Sequence, residues 1–372
     1  MRRRPLLSVL LLSAAVPQSR AAAVPGAVAP GPTAAPAGIS RRALQFPADH
    51  GAHPDTRTEW WYLTGHLSPP GAATPAYGFQ LTFFRSRTGL QAGSSRFAAR
   101  QLIAVHAALT DVRAGRLRHT QRLARQGFGI ADAARGDTAV HVGAWSLARD
   151  ATAGGSGYRA RLEDLEFGFD LRCQRTQAPL LQGLGGWSQK GPDPAQASHY
   201  YSVPQLAVTG RLRTGRDTQT VDGQAWLDHE WSETLLDPAA VGWDWIGMNL
   251  ADGSALTVFR LRRADGSALY AGGSHRAPGA APRHFEPGEV EFTAQRLWTS
   301  AATQAHYPVA WRLRTPVGSF TVQPLLDAQE VDARASTGTI YWEGLAELRD
   351  ATGQRVGLGY LELTGYAGRI TL

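Results

Sequence analysis

Residues 245–273 read WIGMNLADGSALTVFRLRRADGSALYAGG, three apolar runs separated by two Asp-Gly pairs. Asp-Gly between alternating apolar residues is a strong short-range hairpin signal, so this stretch predicts a three-strand meander. The pattern repeats at residues 338–366, GTIYWEGLAELRDATGQRVGLGYLELTGY, around Thr352-Gly353. Upstream, YGFQLTFFRSR places Tyr77, Phe79, Leu81 and Phe83 on one strand face. IAVHAALTDV does the same with Ile103, Val105, Ala107 and Leu109, leaving His106 opposite. Residues 207–213, AVTGRLR, read as another strand, and Asp222-Gly223 as another turn. With 41 glycines, 22 prolines and no long 3.6-residue apolar period, helices should be few and short. The expected fold is all-β. Closing the strands into two antiparallel barrels removes the exposed edges that one long sheet would carry.

The break between barrels falls at LLDPAAVG, residues 235–242, giving units 45–236 and 237–372. Residues 171–200 are polar and Gly-rich, and read as a lid or binding loop. Arg2, Arg3 and Arg4 precede a short apolar run, followed by Ala21, Ala22 and Ala23. That is the form of a signal peptide, residues 1–23, with an Ala/Pro-rich linker over 24–44. A soluble monomer, periplasmic or secreted, is expected. The single cysteine, Cys173, can form no internal disulfide, so the fold must rely on its core. The net charge of +7 comes from scattered arginines with acids nearby; Lys190 is the only lysine. No basic helix or aromatic RNA-binding segment appears, which argues against nucleic acid.

The candidate site residues lie in three Trp-rich strands. In EWWYLTGHL, residues 59–67, Glu59, Trp61, Leu63 and Leu67 share one face; Trp60, Tyr62, Thr64 and His66 share the other. Glu59 at the strand start either meets a ligand or pairs with arginine. His66 either orients water or is structural. The preceding DHGAHPD lacks zinc-ligand spacing, and no metal is expected. In GQAWLDHEWSETLL, residues 223–236, Trp226, Asp228 and Glu230 oppose Leu227, His229 and Trp231. Its HEWSE lacks the second histidine of a zinc protease and reads as strand. In GWDWIGMNL, residues 242–250, Asp244 shares a face with Ile246, Met248 and Leu250. Such a carboxylate is either neutralised by arginine or held protonated and able to donate. No nucleophile elbow, phosphate loop or dinucleotide fingerprint occurs, so no cofactor is expected.

FPADHGAHPDTRTEWWYLTGHL (46–67), YYSVPQLAVTGRL (200–212), the Asp-His-Glu-Trp segment and GWDWIGMNLADGSALTVFRLRRADG (242–266) together resemble the AttH-like family. These exported bacterial proteins are grouped with the carotenoid 1,2-hydratases (hydroxyneurosporene synthases) and are often labelled secreted hydrolases. The resemblance runs from about residue 45 to the C terminus. It implies two tandem lipocalin-like antiparallel β-barrel domains and an association with a lipoprotein-release-type ABC transporter.

Two functional readings follow. The barrels could bind an apolar lipid or isoprenoid through Trp60, Trp61, Tyr62, His106, His229 and Glu230. Alternatively, Asp228 or Asp244 could protonate an alkene within an aromatic wall of Trp226, Trp231, Trp243 and Trp245, with Glu59 or His66 orienting water. The resemblance favours Asp228 as the acid. A hydrolase, or a transporter accessory protein, is the other alternative.

Overall fold

A computed structural model describes residues 39–90, 95, 97–150, 156–234 and 236–370. The signal-peptide segment, most of the linker and Leu235 fall outside this range. Among the described residues no α-helix forms, and a single short 3-10 turn spans Ala48–His50. The strands make two antiparallel sheets, and the fold is all-β and lipocalin-like.

The first sheet runs Arg116–Arg125, Gln101–Asp111, Tyr77–Arg87, Thr58–Ser68, Asp217–Ser232, Ala197–Thr214, Phe167–Gln174, Gly157–Glu163, Trp145–Asp150, Ala139–Val142 and Ala131–Ala133. The second runs Arg283–Phe285, Ala268–Arg276, Ala255–Arg262, Gly242–Leu250, Arg355–Thr364, Thr339–Arg349, Gly318–Pro324, His306–Thr315 and Glu291–Thr299. In each sheet the first long strand is paired with the last; in the first sheet the strands Arg116–Arg125 and Ala139–Val142, from its two ends, also approach each other, so that sheet curls back on itself.

The Asp-Gly turns form as the sequence predicts. Gly253 and Gly266 take φ of 85° and 84°, a region that favours glycine. Each preceding aspartate accepts a hydrogen bond from the backbone N–H two residues on, at Ser254 and Ser267. Asp222-Gly223 is not a turn. It lies inside the Asp217–Ser232 strand, where a Cβ on Gly223 would run into the His66 carbonyl. Nor is residues 171–200 a free loop, because Leu180–Leu181 and Trp187–Gln189 pair with the Ala197–Thr214 strand.

Strand alternation fills each barrel with apolar side chains. Trp61, Leu63, Phe79, Leu81, Phe83, Val105 and Trp231 build the first core, which also takes in Cys173. Ile246, Met248, Val258, Trp311 and Trp342 build the second. A third cluster, including Tyr62, Trp226, Trp245, Phe259 and Tyr360, joins the outer faces of the two sheets. The sheets are in close contact at Gly78, where an added Cβ would lie 2.7 Å from the Tyr360 hydroxyl and 2.8 Å from Leu345 Cβ. Gly78→Ala should therefore cost about 1–3 kcal/mol by overpacking, read as a lower midpoint in urea. An unchanged midpoint would mean that the sheets are not held this tightly.

Candidate functional site

Because both barrel interiors are packed, the open space lies between the sheets. A cavity of about 340 Å³ is lined by Trp60, Tyr62, His106, Asp228 and Glu230 from the first sheet. Trp243, Trp245, Phe259, Tyr341, Glu343 and Glu362 line it from the second. That volume is near the lower end of small-molecule sites, roughly 300–1,000 Å³. It has room for a compact molecule or one end of a longer chain.

Parity along Thr58–Ser68 and Asp217–Ser232 decides which candidates reach this cavity. Tyr62 and Asp228 are directly paired across the two strands and face it together. Trp226, on the same face, donates its indole N–H to Asp228 Oδ1 at 2.7 Å. Glu59, Trp61, His229 and Trp231 point the other way. Trp61 and Trp231 belong to the first core.

Glu59 does not line the cavity. Its carboxylate takes Arg85 Nε at 2.6 Å, His53 Nδ1 at 2.7 Å and His229 Nε2 at 2.9 Å. Burial opposes its charge, but the hydrogen bonds to His229 and His53, with Arg85 beside them, hold it well below the usual carboxylate range. His53 also bonds Asp49 at 3.0 Å and stacks on Trp231, ring centroids 3.7 Å apart. Burial disfavours a charge on His53, yet these two acids keep it above the ordinary histidine value. Ligand atoms of His53, Glu59 and His229 lie within 4.8 Å of one another. The buried Arg85 supplies the positive charge at Glu59, so the cluster reads as an ion-pair network.

Asp244 is likewise on a core face. Arg260 Nε at 2.6 Å and the Tyr366 hydroxyl at 2.9 Å satisfy it, with Arg262 at 3.7 Å. Of the two readings open for Asp244, arginine neutralisation is the one that holds. His66 shares the Trp60 face but is not part of the cavity wall. Burial, with Arg355 nearby, lowers it to about 4.

Asp228 differs from these acids. It is buried, and among the described residues it has no Arg, Lys or His ion-pair partner. Tyr200 lies 2.7 Å from Oδ2, and Ser202 donates to Oδ1 at 2.5 Å. These groups are themselves fixed. Trp245 donates to the Tyr200 oxygen at 3.2 Å and Gln182 to Ser202 at 2.8 Å. Burial pushes the carboxyl up to about 7; the three hydrogen bonds pull back, and Glu230 adds to the rise. Glu230 beside it is paired with Lys190 at 3.0 Å and Ser198 at 2.5 Å. Lys190 enters over the Tyr200 and Phe259 rings, at 4.6 and 4.4 Å.

The pH consequence has a definite sign. A carboxyl raised from 3.8 to about 7 stabilises the fold fully below about pH 4 and loses that contribution as pH rises through 7. The loss approaches roughly 4 kcal/mol at 1.36 kcal/mol per unit. Asp228→Asn should flatten that slope in urea midpoints between pH 4 and 8. An equal slope in both proteins would count against a protonated Asp228.

Tyr200, Ser202, Lys190, Glu343 and Glu362 escaped the sequence reading. Glu343 carried a usable signal, since it alternates with Tyr341 and Leu345 just as Asp244 does with its apolar neighbours.

The comparisons with known proteins agree with this fold. A Nitrosomonas europaea protein assigned as AttH superposes with a TM-score of 0.80 at 44% identity, covering 88% of this chain and 98% of its own. Kievitone hydratase from Nectria haematococca superposes with a TM-score of 0.65 at 14% identity, covering 89% and 98%, which establishes the shared fold. No curated protein matches the sequence. The AttH-like family model matches residues 38–366, nearly all of the two sheets and the cavity between them, and the chain belongs to the AttH-like family.

Proposed function

We propose that the protein binds an apolar, isoprenoid-type ligand between its two sheets and adds water across an alkene of that ligand. The observation that carries this reading is Asp228, a buried acid without a basic partner that titrates near neutrality inside an aromatic cavity. In the step envisaged, the Asp228 O–H gives its proton to one alkene carbon. The more substituted carbon becomes a cation beside Tyr62, Trp243 and Trp245, whose ring faces favour positive charge. Water bonds to that carbon, and its surplus proton returns to the Asp228 carboxylate.

A serine-hydrolase reading is less well supported. Ser336 lies 2.9 Å from His106 Nε2, which invites it. However, Ser336 Oγ donates to Gln121 Oε1 at 2.6 Å, which turns its proton away from His106.

The test is incubation with geraniol, and with longer isoprenoids that insert one end, in oxygen-18 water. A tertiary alcohol carrying the label, made by wild type and lost in Asp228→Asn, is expected. Bound ligand with no labelled product would reduce the reading to binding alone.

A further inference from the structure

Asp228 apart, the buried acids discussed above are matched by cations. Asp49 has Arg42, Glu59 has Arg85, Glu230 has Lys190 and Asp244 has Arg260. Glu343 and Glu362 have no such partner among the described residues. They sit directly opposite each other on neighbouring strands, Thr339–Arg349 and Arg355–Thr364, and both face the cavity. Like charges directly across a sheet repel, and a low-dielectric site makes that worse. Burial first, and the neighbouring carboxyl second, raise Glu343 well above the carboxylate range. Burial raises Glu362 to about 7.

Two polar atoms in this corner, Glu343 Oε1 and Gln80 Oε1, lack a well-formed hydrogen bond, and the Tyr62 hydroxyl beside Glu343 makes only a loose one to it. Their residues are 2%, 1% and 6% exposed, and all three line the cavity. Gln80 Nε2 is already committed, donating to Glu343 Oε2 at 2.7 Å. The unused atoms can all accept a hydrogen bond. Buried acceptors without partners are rare and costly. A group that fills this corner well must therefore be rich in donors. Positive charge would also relieve the crowding of the two carboxyls, and Tyr62, Trp243 and Tyr341 beside them offer ring faces to a cation.

We infer that the corner formed by Glu343, Glu362, Gln80 and Tyr62 binds a primary ammonium group, so that the ligand is an amphipathic amine whose apolar body lies along the aromatic wall. The ammonium supplies three donors and no acceptor, enough for Glu343 Oε1, Gln80 Oε1 and the Glu362 carboxylate, while Tyr62 keeps its own O–H for Glu343. This rests on the reading that the cavity between the sheets is the ligand site, and narrows the chemistry of what enters it.

The test compares geranylamine, geraniol and geranate by titration calorimetry at pH 7 on the full chain. The three share one body and differ only in head group. The amine should bind roughly tenfold or more tighter than either of the others. In Glu343→Gln/Glu362→Gln its affinity should fall to that of geraniol. Because the wild-type comparison needs no variant, a misfolded variant would not obscure the result. If geraniol or geranate binds as tightly as the amine, recognition of an ammonium is wrong while the ligand cavity stands. If the folded protein binds none of the three, both readings fall.

Discussion

Glu59→Ala is expected to lower stability by about 3–5 kcal/mol, the usual cost of stripping one partner from a buried ion pair. Arg85 and Glu59 are both fully buried. The guanidinium keeps neutral partners in Gln101 Oε1 at 2.7 Å and Thr56 Oγ1 at 2.8 Å, but loses its buried counter-charge. His53 would lose the partner that, with Asp49, holds its proton. The effect should depend on pH with a sign opposite to that of Asp228. Glu59 is depressed in the folded protein, so its contribution is present above about pH 4.5 and is lost as pH falls. Wild type and Glu59→Ala should therefore converge in acid. A loss below about 1 kcal/mol at pH 7, within the range of an exposed pair, would contradict a buried network.

Asp228→Asn is expected to lower the rate of water addition by roughly 10²–10⁴, the usual contribution of a positioned general acid. Amide replaces carboxyl with little change of shape, so Trp226 and Ser202 keep an acceptor. The transferable proton is lost, and the Tyr200 hydroxyl, which donates to Oδ2, must turn to accept from the amide nitrogen. If Asp228 is the acid proposed, its protonated form is the active one and the rate should decline as pH rises past about 7. The variant's residual rate should show no such limb. A variant within threefold of wild type would remove Asp228 from the chemistry, whatever its effect on binding.

Most of the scaffold was legible in the sequence because β-structure writes itself at period two. The alternation in YGFQLTFFRSR and IAVHAALTDV matches the strands Tyr77–Arg87 and Gln101–Asp111, with His106 on the face away from the core. The same parity correctly paired Asp228 with Trp226 and Glu230. It cannot say which face is inside. Both faces of EWWYLTGHL carry aromatic residues, and one packs the barrel while the other meets the second sheet. That ambiguity moved Glu59 and Asp244 into the candidate acids. Their arginine partners, Arg85 and Arg260, come from neighbouring strands 26 and 16 residues away. The Glu343–Glu362 pair was hidden for the same reason, since strand register brings its members together.

The central claim is a carboxylic acid kept protonated near neutrality inside an aromatic cavity. Infrared difference spectroscopy across a pH titration, wild type against Asp228→Asn, observes it directly. Glu343 and Glu362 contribute protonated carboxyl bands to both proteins, so the expected result is one component found in wild type alone, present at pH 5 and disappearing with a midpoint near 7. An Asp228 already ionised at pH 5 would contradict it.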